Sequence, residues 1–150
     1  MVHSQARRHV INIGGQMSFI EITENELVNI EKVDTQHLKF AEIINKLHNE
    51  LGAKSGGEST RLVEDLVKVL REHFDTEEAL MKEHNYVNFF SHKLEHDRYY
   101  NKVNDYLTDL KNEKIKLDLE FLKSAKRWFF NHFKFNDKKC AEHLRAQGVS

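Results

Sequence analysis

The sequence predicts an all-α protein: an up-down-up-down antiparallel four-helix bundle preceded by an N-terminal arm. Three observations predict it. The 150 residues contain no proline, so no pyrrolidine ring forces a helix to kink or stop. Four segments carry apolar residues at steps of three and four, the spacing that gathers side chains on one helix face. The connections between those segments are short, which makes neighbouring helices antiparallel.

The elements follow in order. Residues 1–18 hold an Arg pair and only a very short apolar run, a poor signal peptide, and read as a disordered extension. "FIEITENELVNIEKVD" reads as an ordered arm, with Asp34 as N-cap of the first helix. That helix runs from about Asp34 to Leu51 and carries His37, Phe40, Ile44, Leu47 and Leu51 on one face. "GAKSGGES" is the first turn and ends in Ser59, suited to capping the second helix. The second helix, about Ser59 to His84, carries Leu62, Leu66, Leu70, His73, Glu77 and Leu80. After "HNYVN", a third from about Asn88 to Asn112 carries Phe89, His92, His96, Val103, Leu107 and Leu110. After "KNEKIK", a fourth from about Leu117 to Phe135 or beyond carries Phe121, Leu122, Ala125, Trp128, Phe129 and His132. The domain spans 19–140, and 141–150 reads as a C-terminal tail.

A chain of this length suits one domain with a proper core. Its formal net charge of −1 gives a nucleic acid or an anionic membrane no global electrostatic attraction. No stretch approaches the roughly 20 apolar residues of a membrane span. Cys140 is the only cysteine, so no intrachain disulfide forms, a reducing cytoplasm fits, and the residue reads as inert in the tail.

Histidines and carboxylates interrupt the apolar stripes in phase with them. Burying an unpaired polar group costs about 1–3 kcal/mol, and an unpaired carboxylate far more. Several together would consume much of a domain's net stability of about 5–15 kcal/mol. Metal ions satisfy such groups at once, and Zn, Fe, Mn and Cu all accept imidazole and carboxylate ligands.

Residues level with one another on adjacent antiparallel helices have their connecting turn near their sequence midpoint. The midpoint between His37 and the His73/Glu77 pair is Gly56; that between this pair and His92/His96 falls between His84 and Asn85. The midpoint between His92/His96 and His132/Asp137 falls at about Lys114. All three lie in expected turns, so His37, His73, Glu77, His92, His96, His132 and Asp137 form one layer. Asp137 is five residues from His132, about 140° around an ideal helix, and reaches the layer if the helix ends or loosens at Phe135–Asn136. Five imidazoles and two carboxylates exceed the four ligands of a tetrahedral zinc site and suit two centres sharing bridging carboxylates. "EEAL" at 77–80 lacks the Glu-x-x-His of ferritin-like di-iron proteins.

"VDTQHLKF", "HFDTEEALM", "HKLEH" and "HFKFND" together resemble the hemerythrin signature, in its single-domain bacterial form, over about Phe19 to Cys140. The resemblance implies two non-heme iron ions. One would take His92, His96 and His132; the other would take His37 and His73 and keep one open position for O2. Glu77 and Asp137 would bridge them with an oxo or hydroxo group. Phe40, Ile44, Trp128 and Phe129 would wall the O2 pocket. Two positions depart from the family pattern. Ile22 stands where bacterial members often carry a tryptophan, and Phe129 where they often carry a leucine.

The function implied is reversible O2 binding for storage, delivery or scavenging. The alternatives are an O2 or redox sensor acting through a partner, for which the length leaves no output domain, and a di-iron peroxide or nitric oxide reductase. Iron storage or a zinc site is also compatible with the donors. His48 and His84, eleven residues from His37 and His73, are about 16 Å from them along the helix and read as surface or turn residues. His3, His9 and His143 fall in the tails. Tyr99, Tyr100 and Tyr106 read as packing rather than a radical site, and Trp128 as core rather than a redox relay.

Overall fold

The computed structural model describes residues 18–51 and 58–150. The extension expected at 1–18 lies almost wholly outside the described residues, as do His3, His9 and most of the first turn. Four long helices form the up-down-up-down bundle: α1 (Glu31–Glu50), α2 (Ser59–Glu83), α3 (Phe89–Lys111) and α4 (Leu119–His132). A single wide turn of π-helix, Phe133–Asp137, joins α4 to α5 (Lys138–Ala146).

The arm is ordered. Thr23 and Glu26 make a reciprocal capping box over a short 3₁₀ turn, Glu24–Glu26. Ile20 and Ile22 are buried, and the buried Asn45 amide of α1 accepts from Ile20 N and donates to Ile20 O, both at 2.9 Å. Asp34 is not the N-cap, because α1 starts three residues earlier with Ile30 as its cap. The Asp34 carboxylate instead reaches back and accepts from the backbone N–H groups of Val28 (2.8 Å) and Asn29 (3.0 Å). Those donors lie in a chain reversal where Asn29 has φ 60°, a conformation asparagine tolerates better than most residues. Ser59 does not cap α2 either: Glu58 stands at the cap, and Ser59 is the first helical residue and buried.

Three helices end in the same way. After α2, Tyr86 N bonds to Met81 O and Asn85 N to Lys82 O. After α3, Lys114 N bonds to Asp109 O and Glu113 N to Leu110 O. After α5, Val149 N bonds to Leu144 O and Gly148 N to Arg145 O. Each is a Schellman ending with a left-handed residue just past the cap. Glycine takes that place only at Gly148; Asn85 (φ 53°) and Glu113 (φ 57°) take it in the other two.

Residues 141–150, expected as a tail, continue the helix to Ala146 and bury Ala141 and Leu144. The Arg145 guanidinium donates to the Val28 carbonyl. His143, also expected in a tail, lies in α5, donates to the His84 carbonyl at 2.7 Å and stacks on Tyr86. Cys140 is 1% exposed, and burial raises its thiol pKa, with Glu77 and Asp137 adding to the effect. It lies in a core rather than a tail.

The core divides into two clusters. The larger includes Ile44, Leu47, Val63, Leu66, Phe74, Val103 and Leu122. The smaller joins arm residues Val28 and Ile30 to Met81, Phe133, Cys140 and Leu144. Along α2, Leu70 and Phe74 belong to the first and Met81 to the second, so the His73/Glu77 level lies between two dry layers. The tyrosines pack: Tyr99 stacks on Trp128 at 3.9 Å, Tyr106 on Phe121 at 3.9 Å, and Arg71 covers Tyr100.

The exposed, left-handed Glu113 is a removable strain. Glu113→Gly should stabilise the fold by up to about 1 kcal/mol, since glycine adopts this region without a Cβ penalty. A rise in the urea midpoint at unchanged slope is the expected outcome.

Candidate metal centre

Each donor is set by a different stretch of helix. α1 supplies His37, α2 His73 and Glu77 one turn apart, α3 His92 and His96 one turn apart, and α4 His132. Asp137 would point away on a continuous α-helix. The π-turn cures this: its wider repeat closes i→i+5, as in the Lys138 N–H to Phe133 O bond, and brings residues five apart onto one face. Asp137 Oδ1 accordingly lies 3.0 Å from His132 Nε2. All seven side chains are buried.

The donors fall into two overlapping groups, one of Glu77, His92, His96, His132 and Asp137 and the other of His37, His73, Glu77 and Asp137. Within each, one donor atom per residue lies within 4.8 Å of the rest. Each carboxylate divides its oxygens between the groups. Glu77 Oε2 is 3.1 Å from His73 Nε2, while Oε1 is 2.5 Å from His92 Nε2 and 3.8 Å from His96 Nε2. Asp137 Oδ2 is 3.4 Å from His37 Nε2, while Oδ1 is 3.3 Å from His92 Nε2.

This arrangement fits metal ions better than it fits itself. His37 and His73 bring Nε2 to Nε2 at 3.2 Å, and His96 and His132 do so at 3.1 Å. Neighbouring octahedral donors about 2.1 Å from a metal stand about 3.0 Å apart. Both Glu77 oxygens, His92 Nε2 and Asp137 Oδ1 are buried without a hydrogen bond. A protein does not leave that many buried polar atoms unsatisfied without another partner.

The ionisation of the cluster reflects the same crowding. Burial pulls the His92 pKa down, but Asp137 and Glu77 beside it win and lift it to about 10. His73 is raised for the same reason, its contact with Glu77 overcoming burial. Burial and Asp137 push the Glu77 carboxyl up, yet His73 and His92 hold it below the usual carboxylate range. Burial also opposes ionisation of Asp137, but His132, His37 and His92 hold it well below its ordinary value. His96 is lowered, chiefly by burial.

A second layer of contacts was not anticipated from the sequence. His73 Nδ1–H donates to Gln36 Oε1 at 2.9 Å, and Gln36 Nε2 donates to Thr76 Oγ1 at 3.1 Å. His96 Nδ1–H donates to Glu78 Oε2 at 2.9 Å. Each bond fixes the tautomer that leaves Nε2 free as a ligand. Gln36 and Glu78 each adjoin a ligand in sequence, so they point about 100° around the helix from it, towards the next helix. That adjacency was the available signal.

A cavity of about 10 Å³ adjoins the four-donor group, lined by Phe40, Val69, Leu70, Trp128 and Phe129 with Gln36, His37, His73, His132 and Asp137. Phe40, Trp128 and Phe129, named above for the pocket, all line this cavity. Ile44 does not: it is fully buried in the larger cluster, seven residues and about 10 Å along α1 from His37. Val69 and Leu70, one turn before His73, take its place. Phe129 meets His37 edge-on at 5.2 Å and stacks on Phe40 at 5.3 Å, filling space beside the cavity. Of the histidines read as lying outside the layer, His48 stacks on Phe19 and His84 is a half-buried turn residue.

Fold and site together define a metal-binding four-helix bundle with a histidine–carboxylate centre. The family model described as Hemerythrin HHE cation binding domain matches residues 28–144, and the chain belongs to that family. It is 31% identical to a bacteriohemerythrin of Pseudomonas aeruginosa over 117 residues, 77% of this chain and 75% of that one. It is 32% identical to the myohemerythrin of Theromyzon tessulatum over 109 residues, 73% and 80% of the two chains. Among solved structures it resembles a hemerythrin leucine-to-tyrosine mutant, with TM-score 0.81 and 25% identity over 85% of this chain and 98% of that one. No helix among the described residues is long and apolar enough to cross a membrane.

The pKa directions set how the metal-free protein should respond to pH. His92 and His73 have folded values above their unfolded ones, so their stabilisation is full below about pH 6.5 and is lost as pH rises, for His92 through about 10. Glu77 and Asp137 are depressed, so theirs is present above about pH 4–5 and lost as pH falls. His96, lowered by burial, also costs stability as pH falls below about 6.5. Urea midpoints of chelator-treated protein should therefore peak near neutral pH and fall on both sides. Metal loading at pH 7 should release protons, measurable by calorimetry in buffers of different ionisation enthalpy.

Proposed function

We propose that the centre holds two iron ions, one on His92, His96 and His132 and one on His37 and His73, with Glu77 and Asp137 bridging, and that it binds O2 reversibly. The observation that carries this reading is the division of each carboxylate's oxygens between a five-donor and a four-donor group. The four-donor group is one donor shorter and faces the apolar cavity. An iron pair held by the two groups in its reduced state would supply electrons reversibly to O2. The bacteriohemerythrin and myohemerythrin relatives support the assignment of the family's ligand to this chain.

The chain's own residues perform the rest. Phe40, Val69, Leu70, Trp128 and Phe129 exclude bulk water and bulky substrates from a space that holds about one water-sized molecule. Beyond the proposed ligands, the described lining offers only the Gln36 amide and the Trp128 indole N–H as polar groups. Neither is a general acid, which supports binding over reductive turnover. Glu77 and Asp137, each with one oxygen towards each histidine set, would hold both ions.

Aerobically purified protein should contain two irons per chain and show a visible band that disappears on deoxygenation and returns with O2. Two zinc ions and no colour would refute the reading, and irreversible bleaching with rapid peroxide turnover would favour an enzyme. His37→Ala should lose oxygenation while keeping its helical circular dichroism. Phe129→Leu removes buried ring volume and should cost about 1–2 kcal/mol of stability. By opening the wall beside His37 it should speed autoxidation, followed as decay of the oxygenated band.

A further inference from the structure

Gln36 and Glu78 back one histidine in each donor group, and they differ in charge. Glu78 is buried and lies behind His96, a member of the five-donor group only. Gln36 is buried and lies behind His73, a member of the four-donor group only. The cations nearest Glu78 are Arg71 at 3.7 Å and Lys93 at 3.9 Å, both half-exposed and longer than its 2.9 Å bond to His96. Solvent screens those two pairs more than the buried one, so His96 experiences a net negative neighbour.

An imidazole whose N–H is held by a carboxylate donates more strongly through its other nitrogen than one held by a neutral amide. Stronger donation favours the higher charge state of the ion it serves. We propose that Glu78 and Gln36 act as positioning residues that make the two metal positions unequal in redox potential. Glu78 stabilises the ferric state at the His92/His96/His132 position, while Gln36 leaves the cavity-facing His37/His73 position easier to keep ferrous. In a half-oxidised molecule one Fe²⁺ has become Fe³⁺, its electron passing to a one-electron outer-sphere acceptor. The ferric ion is then the one backed by Glu78, and the position facing the cavity keeps its electron. This inference rests on the two-iron reading above, and its failure can be told apart from failure of that reading.

Glu78→Gln keeps an oxygen acceptor for His96 but removes the charge; Gln36→Glu adds one behind His73. With the iron-loaded protein and ferricyanide as acceptor, Glu78→Gln should raise the midpoint of the first one-electron oxidation. A tenfold change in relative ferric affinity corresponds to about 59 mV, and the second midpoint should move much less. Gln36→Glu should lower the second midpoint instead. The double exchange should invert which ion is ferric in the Mössbauer spectrum of half-oxidised protein. Co²⁺ titration of chelator-treated protein gives a readout that needs no iron: Glu78→Gln should weaken one of two binding steps about tenfold. One cobalt step weakening in this way in a protein that takes up no iron would sink the O2 reading and the redox inequality with it, leaving only unequal donor strength at the two positions. Unshifted midpoints at full iron content, or equal shifts of both midpoints in either variant, would overturn the proposal. If Glu78→Gln fails to fold, Gln36→Glu carries the same test.

Discussion

Five imidazoles and two carboxylates must leave water together at one level of the bundle, and the rest of the structure is arranged around that demand. The donors satisfy one another only in part. Imidazole nitrogens face each other in two pairs, and both Glu77 oxygens and Asp137 Oδ1 lack hydrogen bonds. An isolated buried charge is far too costly to keep, and a partly satisfied network is worse than an apolar one. Ions held there would resolve this, and each carboxylate turns one oxygen towards each histidine set. The π-turn belongs to the same solution. It departs from regular helix where an α-turn would carry Asp137 out of the layer, and the helix resumes at once as α5.

The flanking elements hold the layer dry. One apolar cluster fills the bundle on one side, and a second, built from the arm, the end of α2 and α5, closes the other. The arm reaches its place through Asp34 and through the Arg145 bond to Val28. Trp128 seals the flank of His132, with its other face on Tyr99. Outside the ligands, Gln36 and Glu78 orient two of the histidines. A helix residue next to a ligand projects towards the neighbouring helix, so each serves the next helix's histidine rather than its own helix's ligand. Two protein-made inequalities therefore coincide at the centre: the number of donors on each side and the charge behind them.

The sequence by itself determined the class of fold and the level of the site. Apolar spacing of three and four, an absence of proline and the midpoints of the polar pairs are local quantities, and they survive folding because helices preserve sequence distance as axial distance. The common level of the seven side chains was readable for that reason. What the sequence left undecided depends on rotation, on local departures from ideal geometry and on neighbours distant in the chain. Whether Asp137 entered the layer turned on one π-turn, which periodicity cannot encode. The family resemblance implies Ile44 at the cavity, but its height along α1 puts it in the larger core. The tertiary structure decided that Asp34 pins the arm, that the last residues pack as α5, and that Gln36 and Glu78 stand behind histidines 37 and 18 residues away. Those contacts are made between helices, and a single strand of sequence carries no record of which side chain meets which until the helices pack.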